Sequence, residues 1–149
     1  MKEIIKLEVE HFIIINEDIH QAAVKNPKIS YGGYDEFPVK KKKLIALVDN
    51  ATDGDIIELS AYYLKNIILL QSFADGNHRT AITAVEFFLD LNGKRISYTI
   101  EEIEVFQREF YRLRFEIYKS YDDRGIWILS EPQNSIYDLC KHFVEDHLA

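Results

Sequence analysis

Gln71-Ser72-Phe73-Ala74-Asp75-Gly76-Asn77-His78-Arg79-Thr80-Ala81 joins two apolar runs of helical periodicity. Upstream, Asp55 is suited to cap a helix, with Glu58 as its capping-box partner, and the helix runs to about Leu70. Leu59, Tyr63, Leu64, Ile67, Ile68 and Leu70 give that segment an apolar density expected of a central, mostly buried helix. Downstream, a second helix begins near Asn77 and passes through Val85, Phe88 and Leu89 to Leu91. Asn92-Gly93 then ends it in the manner of a left-handed cap.

The loop between them has a chemistry of its own. A helix N-terminus offers backbone N–H groups without intrahelical partners and a partial positive charge, which together bind phosphate. Gly76 carries no side chain, so an anion can approach the backbone closely. Arg79, in the first turn, adds a bidentate phosphate donor. Asp75 sets a carboxylate beside that anion, which makes chemical sense mainly if a Mg²⁺ bridges the two. Asn77 can bond phosphate or cap the helix. The same residues also fit an ordinary loop with an Asx cap and a solvated arginine.

Outward from the loop, the rest of the chain reads as mainly α. Ile4, Ile5 and Leu7 allow a short strand over Met1 to Leu7. Phe12, Ile15 and Ile19 recur at helical spacing in a segment from about Glu8 to Val24, closed by Pro27, although Phe12 to Ile15 also fits a buried strand. Gly32-Gly33, flanked by Tyr31 and Tyr34, is a hairpin signal. Lys40 to Lys43 leads into a helical run, Leu44 to Val48. Thr99, with Glu102 as capping-box partner, opens a helix whose stripe is Phe106, Phe110, Leu113 and Ile117. A last helix follows Pro132, placed for its first turn, and carries Ile136, Leu139, Cys140 and Phe143.

Composition bounds the function. At 149 residues the chain is expected to form one domain, 1–149, and 47% hydrophobic content supports a packed core. A net charge of −7 argues against general nucleic-acid or membrane-surface binding. Cys140 is the single cysteine, so no internal disulfide forms, and it is expected in the core, not as a nucleophile. The apolar stretches fall short of the roughly 20 residues of a membrane span. With no signal peptide evident, the cytoplasm is the default location.

The segment Gln71 to Arg79 closely resembles the signature loop of the Fic/Doc family, His-x-Phe-x-Asp/Glu-Gly/Ala-Asn-x-Arg, and the chain is similar to the Doc (death-on-curing) branch. Thr80-Ala81 and the run Phe87 to Gly93 extend the likeness, and the opening from Ile5 to Ile19 matches loosely. The resemblance implies a helical Fic/Doc-like domain with a small β-hairpin flap. It implies Phe73 as the buried aromatic anchor, Asp75 as the Mg²⁺ ligand, and Gly76, Asn77, His78 and Arg79 as the cradle for ATP phosphates. It also implies Tyr31, Gly32, Gly33 and Tyr34 as a flap that docks a target peptide as an added strand. The implied activity is Mg²⁺/ATP-dependent transfer of phosphate, or of AMP, to a protein hydroxyl. A translation factor is the implied target class, and a separate antitoxin the implied restraint. No Ser/Thr-x-x-x-Glu-Gly/Asn self-inhibitory segment occurs.

Three positions depart from the pattern. Gln71 stands where the family has the histidine that takes the proton from the attacking hydroxyl. An amide has no titratable group near neutral pH and cannot supply the factor of about 10²–10⁴ that a general base contributes. Ile82 stands where AMP-transferring Fic enzymes carry a second arginine, which resembles the phosphate-transferring Doc branch. His78 replaces the usual lysine or glycine and is expected to contact phosphate or solvent, with a substitute-base role as the alternative. A transferase slowed at position 71 is one reading. A catalytically inactive module that binds nucleotide or a partner is the other. Lys40 to Lys43 fits a solvated face or a site for an acidic partner. Tyr111, Phe115, Tyr118, Tyr121 and Trp127 fit packing aromatics or part of a partner groove.

Overall fold

A computed structural model of the chain describes residues 3–25, 40–51, 54–73, 76–118, 125–131 and 134–149, with the side chains of 23–25 and 127 left aside. Six α-helices occur among them: α1 (Val9–Lys25), α2 (Lys41–Asp49), α3 (Ile56–Leu70), α4 (Asn77–Leu91), α5 (Ile100–Ile117) and α6 (Ser135–His147). A 3-10 turn, Ile126–Ser130, precedes α6. The fold is mainly helical, as the periodicity predicts. The hairpin expected around Tyr31 to Tyr34 lies outside the described residues.

The central helix is α3, which packs against α4, α6, α2 and the 3-10 turn. Its composition explains that position. Leu59, Tyr63, Leu64 and every residue from Ile67 to Leu70 are buried, so the apolar surface extends nearly all round. Burying such side chains is worth about 1.5–3 kcal/mol each before entropy is set against it. The Asp55–Glu58 capping box is present: Glu58 N–H donates to Asp55 Oδ1 at 2.8 Å and Asp55 N–H to Glu58 Oε1 at 3.2 Å. Helix α4 packs on the other side between α3 and α1. Its end is a Schellman closure, in which Lys94 N–H reaches Leu89 O at 2.8 Å and Gly93 sits at φ 75°.

Three expectations are corrected. Residues 3–8 form no strand. Among the described residues they have no strand to pair with, and the Asn92 amide takes that place, accepting from Ile5 N–H at 2.8 Å and donating to Ile5 O at 2.9 Å. On α5, Phe106 and Phe110 are buried, but Ile117 is 40% exposed, and Arg114 turns inward in its place at 5%. Helix α6 begins at Ser135, later than the expected first turn at Pro132, a residue outside the described ones. Asn134 caps it through Ile136 N–H and Tyr137 N–H. His78, in the first turn of α4, is half-buried. Cys140 is fully buried, and that burial pushes its thiol pKa up, as fits a packing residue. An isolated antiparallel bridge, Ile96 to Leu148, ties the C-terminus to the segment after α4.

Candidate functional site

The loop between α3 and α4 is bounded by two left-handed residues, one at each helix end. Gln71 closes α3 at φ 51° and ψ 50°, and it is the one non-glycine residue with positive φ among the described residues. An L-residue pays about 1–2 kcal/mol for that conformation, so the surroundings must hold it. They do so through its side chain. Gln71 Nε2 donates to Ile68 O at 2.6 Å, and Gln71 Oε1 accepts from Asn77 Nδ2 at 3.2 Å. Both ends of the amide are therefore engaged within the loop.

Asn77, buried at the start of α4, is the staple. Its Nδ2 donates to Phe73 O at 3.1 Å, and its Oδ1 accepts from Phe73 N–H at 3.3 Å. Phe73 is 4% exposed and anchors the loop to the core. Asn77 thus fixes the loop geometry through its side chain. Gly76 caps α4 at φ 74°, a conformation that disfavours a side chain, and leaves no side chain over the first turn. Among the described residues the first intrahelical bond is Thr80 N–H to Gly76 O at 2.8 Å. The N–H groups of Asn77 and His78 lie ahead of it, a backbone arrangement that can cradle an anion. Arg79 lies in that turn and is partly buried.

His78 faces a different way. Its ring lies 4.9 Å from that of Tyr111 and 5.7 Å from that of Phe110, centroid to centroid, so it packs against α5. Neither ring nitrogen has a hydrogen-bond partner among the described residues. Burial first, and then the nearby Arg114 guanidinium, lowers its pKa to about 4. The imidazole is neutral at physiological pH, and it is a much weaker base than an ordinary histidine. Its side chain is turned toward α5, while its backbone N–H belongs to the first turn of α4.

Other groups that brace the loop were not evident from the motif. Asn16 of α1 donates to Thr80 Oγ1 at 3.0 Å, with both residues fully buried, and so locks the first turn of α4 to α1. Lys40 N–H donates to Ser72 O at 2.8 Å, and Lys43 Nζ to Leu70 O at 2.5 Å, satisfying carbonyls at the end of α3. The sequence does carry one signal for Asn16: a polar residue on the apolar stripe of Phe12, Ile15 and Ile19. Asp75, Tyr31, Gly32, Gly33 and Tyr34 lie outside the described residues. Among the described residues, no three His, Cys, Asp or Glu side chains form a metal-binding group, and no helix is long and apolar enough to cross a membrane.

A family model described as the Fic/DOC family matches residues 7–89, more than half of the chain. That span runs from the residues before α1 to the last turn of α4 and includes the whole loop. No curated protein and no solved structure matches the chain significantly.

Proposed function

The chain belongs to the Fic/DOC family, and we propose that it is a Doc-type protein whose α3–α4 loop binds Mg²⁺/ATP for transfer of phosphate, or of AMP, to a protein hydroxyl. The observation that carries the reading is the side-chain-free, left-handed Gly76 at the head of α4, with Arg79 in the turn that follows. That arrangement fits a polyphosphate: backbone N–H groups meet the anion, Arg79 adds charge, and no Cβ obstructs the approach. ATP would supply the transferred group and Mg²⁺ would neutralise charge on its phosphates. Asp75 is the proposed metal ligand on its place in the motif alone. Asn77 holds the loop in shape from below. The absence of a second arginine at Ile82 favours phosphate over AMP as the transferred group. A translation factor as target, an antitoxin as restraint and a docking flap at Tyr31 to Tyr34 belong to the same reading.

At position 71 the transfer step lacks a base. The Gln71 amide cannot take a proton, and it is bound to Ile68 O and Asn77 Nδ2. Transfer by this chain is accordingly slow. The same engagement favours a second reading, in which the protein binds nucleotide or a partner and transfers nothing. Incubation of the chain, Gln71→His and Gln71→His/Asp75→Ala with Mg²⁺ and α- or γ-labelled ATP in a lysate tests both. Label on a lysate protein that appears or rises about 10²-fold with Gln71→His, and is lost with Asp75→Ala, supports the transferase. Label from the γ position identifies phosphate transfer. ATP binding without labelling by any variant supports the second reading.

A further inference from the structure

On the face of α3 that meets α6 and the 3-10 turn lies a pocket of about 250 Å³ whose walls include Glu58, Tyr62, Lys65, Asn66, Glu131 and Tyr137. It is smaller than a drug-sized site, so it suits a small ligand. Lys65 lines it while only 4% exposed, and its amine shares the pocket with the Glu131 carboxylate, which acts on its charge. A buried lysine is almost always paired, because an ammonium that loses hydration needs an opposing charge or acceptors. Burial lowers the Lys65 pKa, and the Glu131 carboxylate opposes that change from across the pocket. Asn66, 3% exposed, lies on the same wall. Its Nδ2 is used on Tyr62 O at 2.9 Å, which fixes the amide and leaves Oδ1 without a partner. Glu131 is held in place by Tyr118, whose hydroxyl donates to Oε2 at 2.5 Å.

We propose that this pocket binds a small zwitterion of the amino-acid class, with its carboxylate on the Lys65 amine and its ammonium on the Glu131 carboxylate. A simple anion would match Lys65 but meet Glu58 and Glu131. A simple cation would match the carboxylates but meet Lys65. A molecule bearing both charges satisfies the two walls together. The inference is independent of the reading of the α3–α4 loop, because no residue of that loop is used.

Thermal unfolding of the full chain with each free L-amino acid at millimolar concentration tests this, alongside the amide and the N-acetyl derivative of any that binds. At least one amino acid is expected to raise Tm by about 3 °C. Its amide, lacking the carboxylate, and its acetylated form, lacking the ammonium, are expected to raise it by less than a third as much. Lys65→Met abolishes the shift while the fold is retained. Should that variant fail to fold, Glu131→Gln serves instead, with a shift reduced at least threefold. No shift with any free amino acid overturns the proposal and leaves a water-filled pocket. So does a shift unchanged in the substituted protein, or one equally large with both blocked derivatives.

Discussion

Asn77 Nδ2 donates to Gln71 Oε1 across the mouth of the α3–α4 loop at 3.2 Å, linking the first residue of one helix to the cap of the other. The same Nδ2 reaches Phe73 O, so one amide sets both the loop's width and its anchor. Position 71 is therefore a structural corner as well as the place where a base is missing.

Replacement of Asn77 by alanine should be costly. It leaves Phe73 N–H and Phe73 O unpaired in a buried setting and frees Gln71 Oε1. A loss of about 2–4 kcal/mol in urea unfolding is expected. Amide exchange at Phe73 should accelerate well before global unfolding, and an unchanged rate would contradict the stapling role.

Side-chain shape at position 71 should matter through the backbone. Histidine and asparagine tolerate the left-handed region better than most residues, whereas β-branched residues do not. Gln71→Val is expected to destabilise by about 2 kcal/mol and Gln71→Asn by less than about 1 kcal/mol, measured by denaturant midpoint. Equal effects would show that the positive φ is not what constrains this site.

The buried His78 predicts a weakness in acid. Its folded pKa of about 4 lies below the ordinary 6.5, so the unfolded chain takes up a proton first as pH falls. Stability should therefore drop as pH goes from about 6.5 to about 4, by about 2–3 kcal/mol from this group alone. His78→Gln should flatten that limb in urea titrations taken across the window. An identical slope in wild type and variant would refute the assignment.

His147 acts in the opposite direction. Its partial burial lowers its pKa, but hydrogen bonds to Phe143 O at 2.8 Å and Glu102 Oε2 at 2.6 Å outweigh that, and the net shift is upward from 6.5. A raised histidine pKa adds stability that is complete below about 6.5 and fades as pH rises through the folded value. The denaturation midpoint should accordingly fall between about pH 6 and pH 8. Glu102→Gln, which keeps a capping-box side chain, should reduce that fall.

Thr80→Val removes the acceptor of the buried Asn16 amide at nearly constant volume. A cost of about 1–3 kcal/mol is expected, read from thermal or urea unfolding. If the variant is as stable as wild type, the α1–α4 lock is not what secures the first turn of α4.

Local chemistry made much of this protein legible in its sequence. The Asp55–Glu58 and Thr99–Glu102 boxes, the Asn92-Gly93 ending and the periodicity of α3 and α4 each depend on residues within a turn or two, and each is found where the sequence places it. The motif likewise marked the joint between α3 and α4. What long-range packing decides was not legible. Whether His78 faces the cradle or α5 depends on Phe110, Tyr111 and Arg114. Whether residues 3–8 form a strand depends on a neighbour to pair with, and Asn92 supplies its amide instead. The left-handed turn at Gln71 and the buried setting of Lys65 are likewise set by groups brought together only in the folded chain. A side chain's type is written in the sequence, but its orientation and its partners are fixed by the helices that close around it.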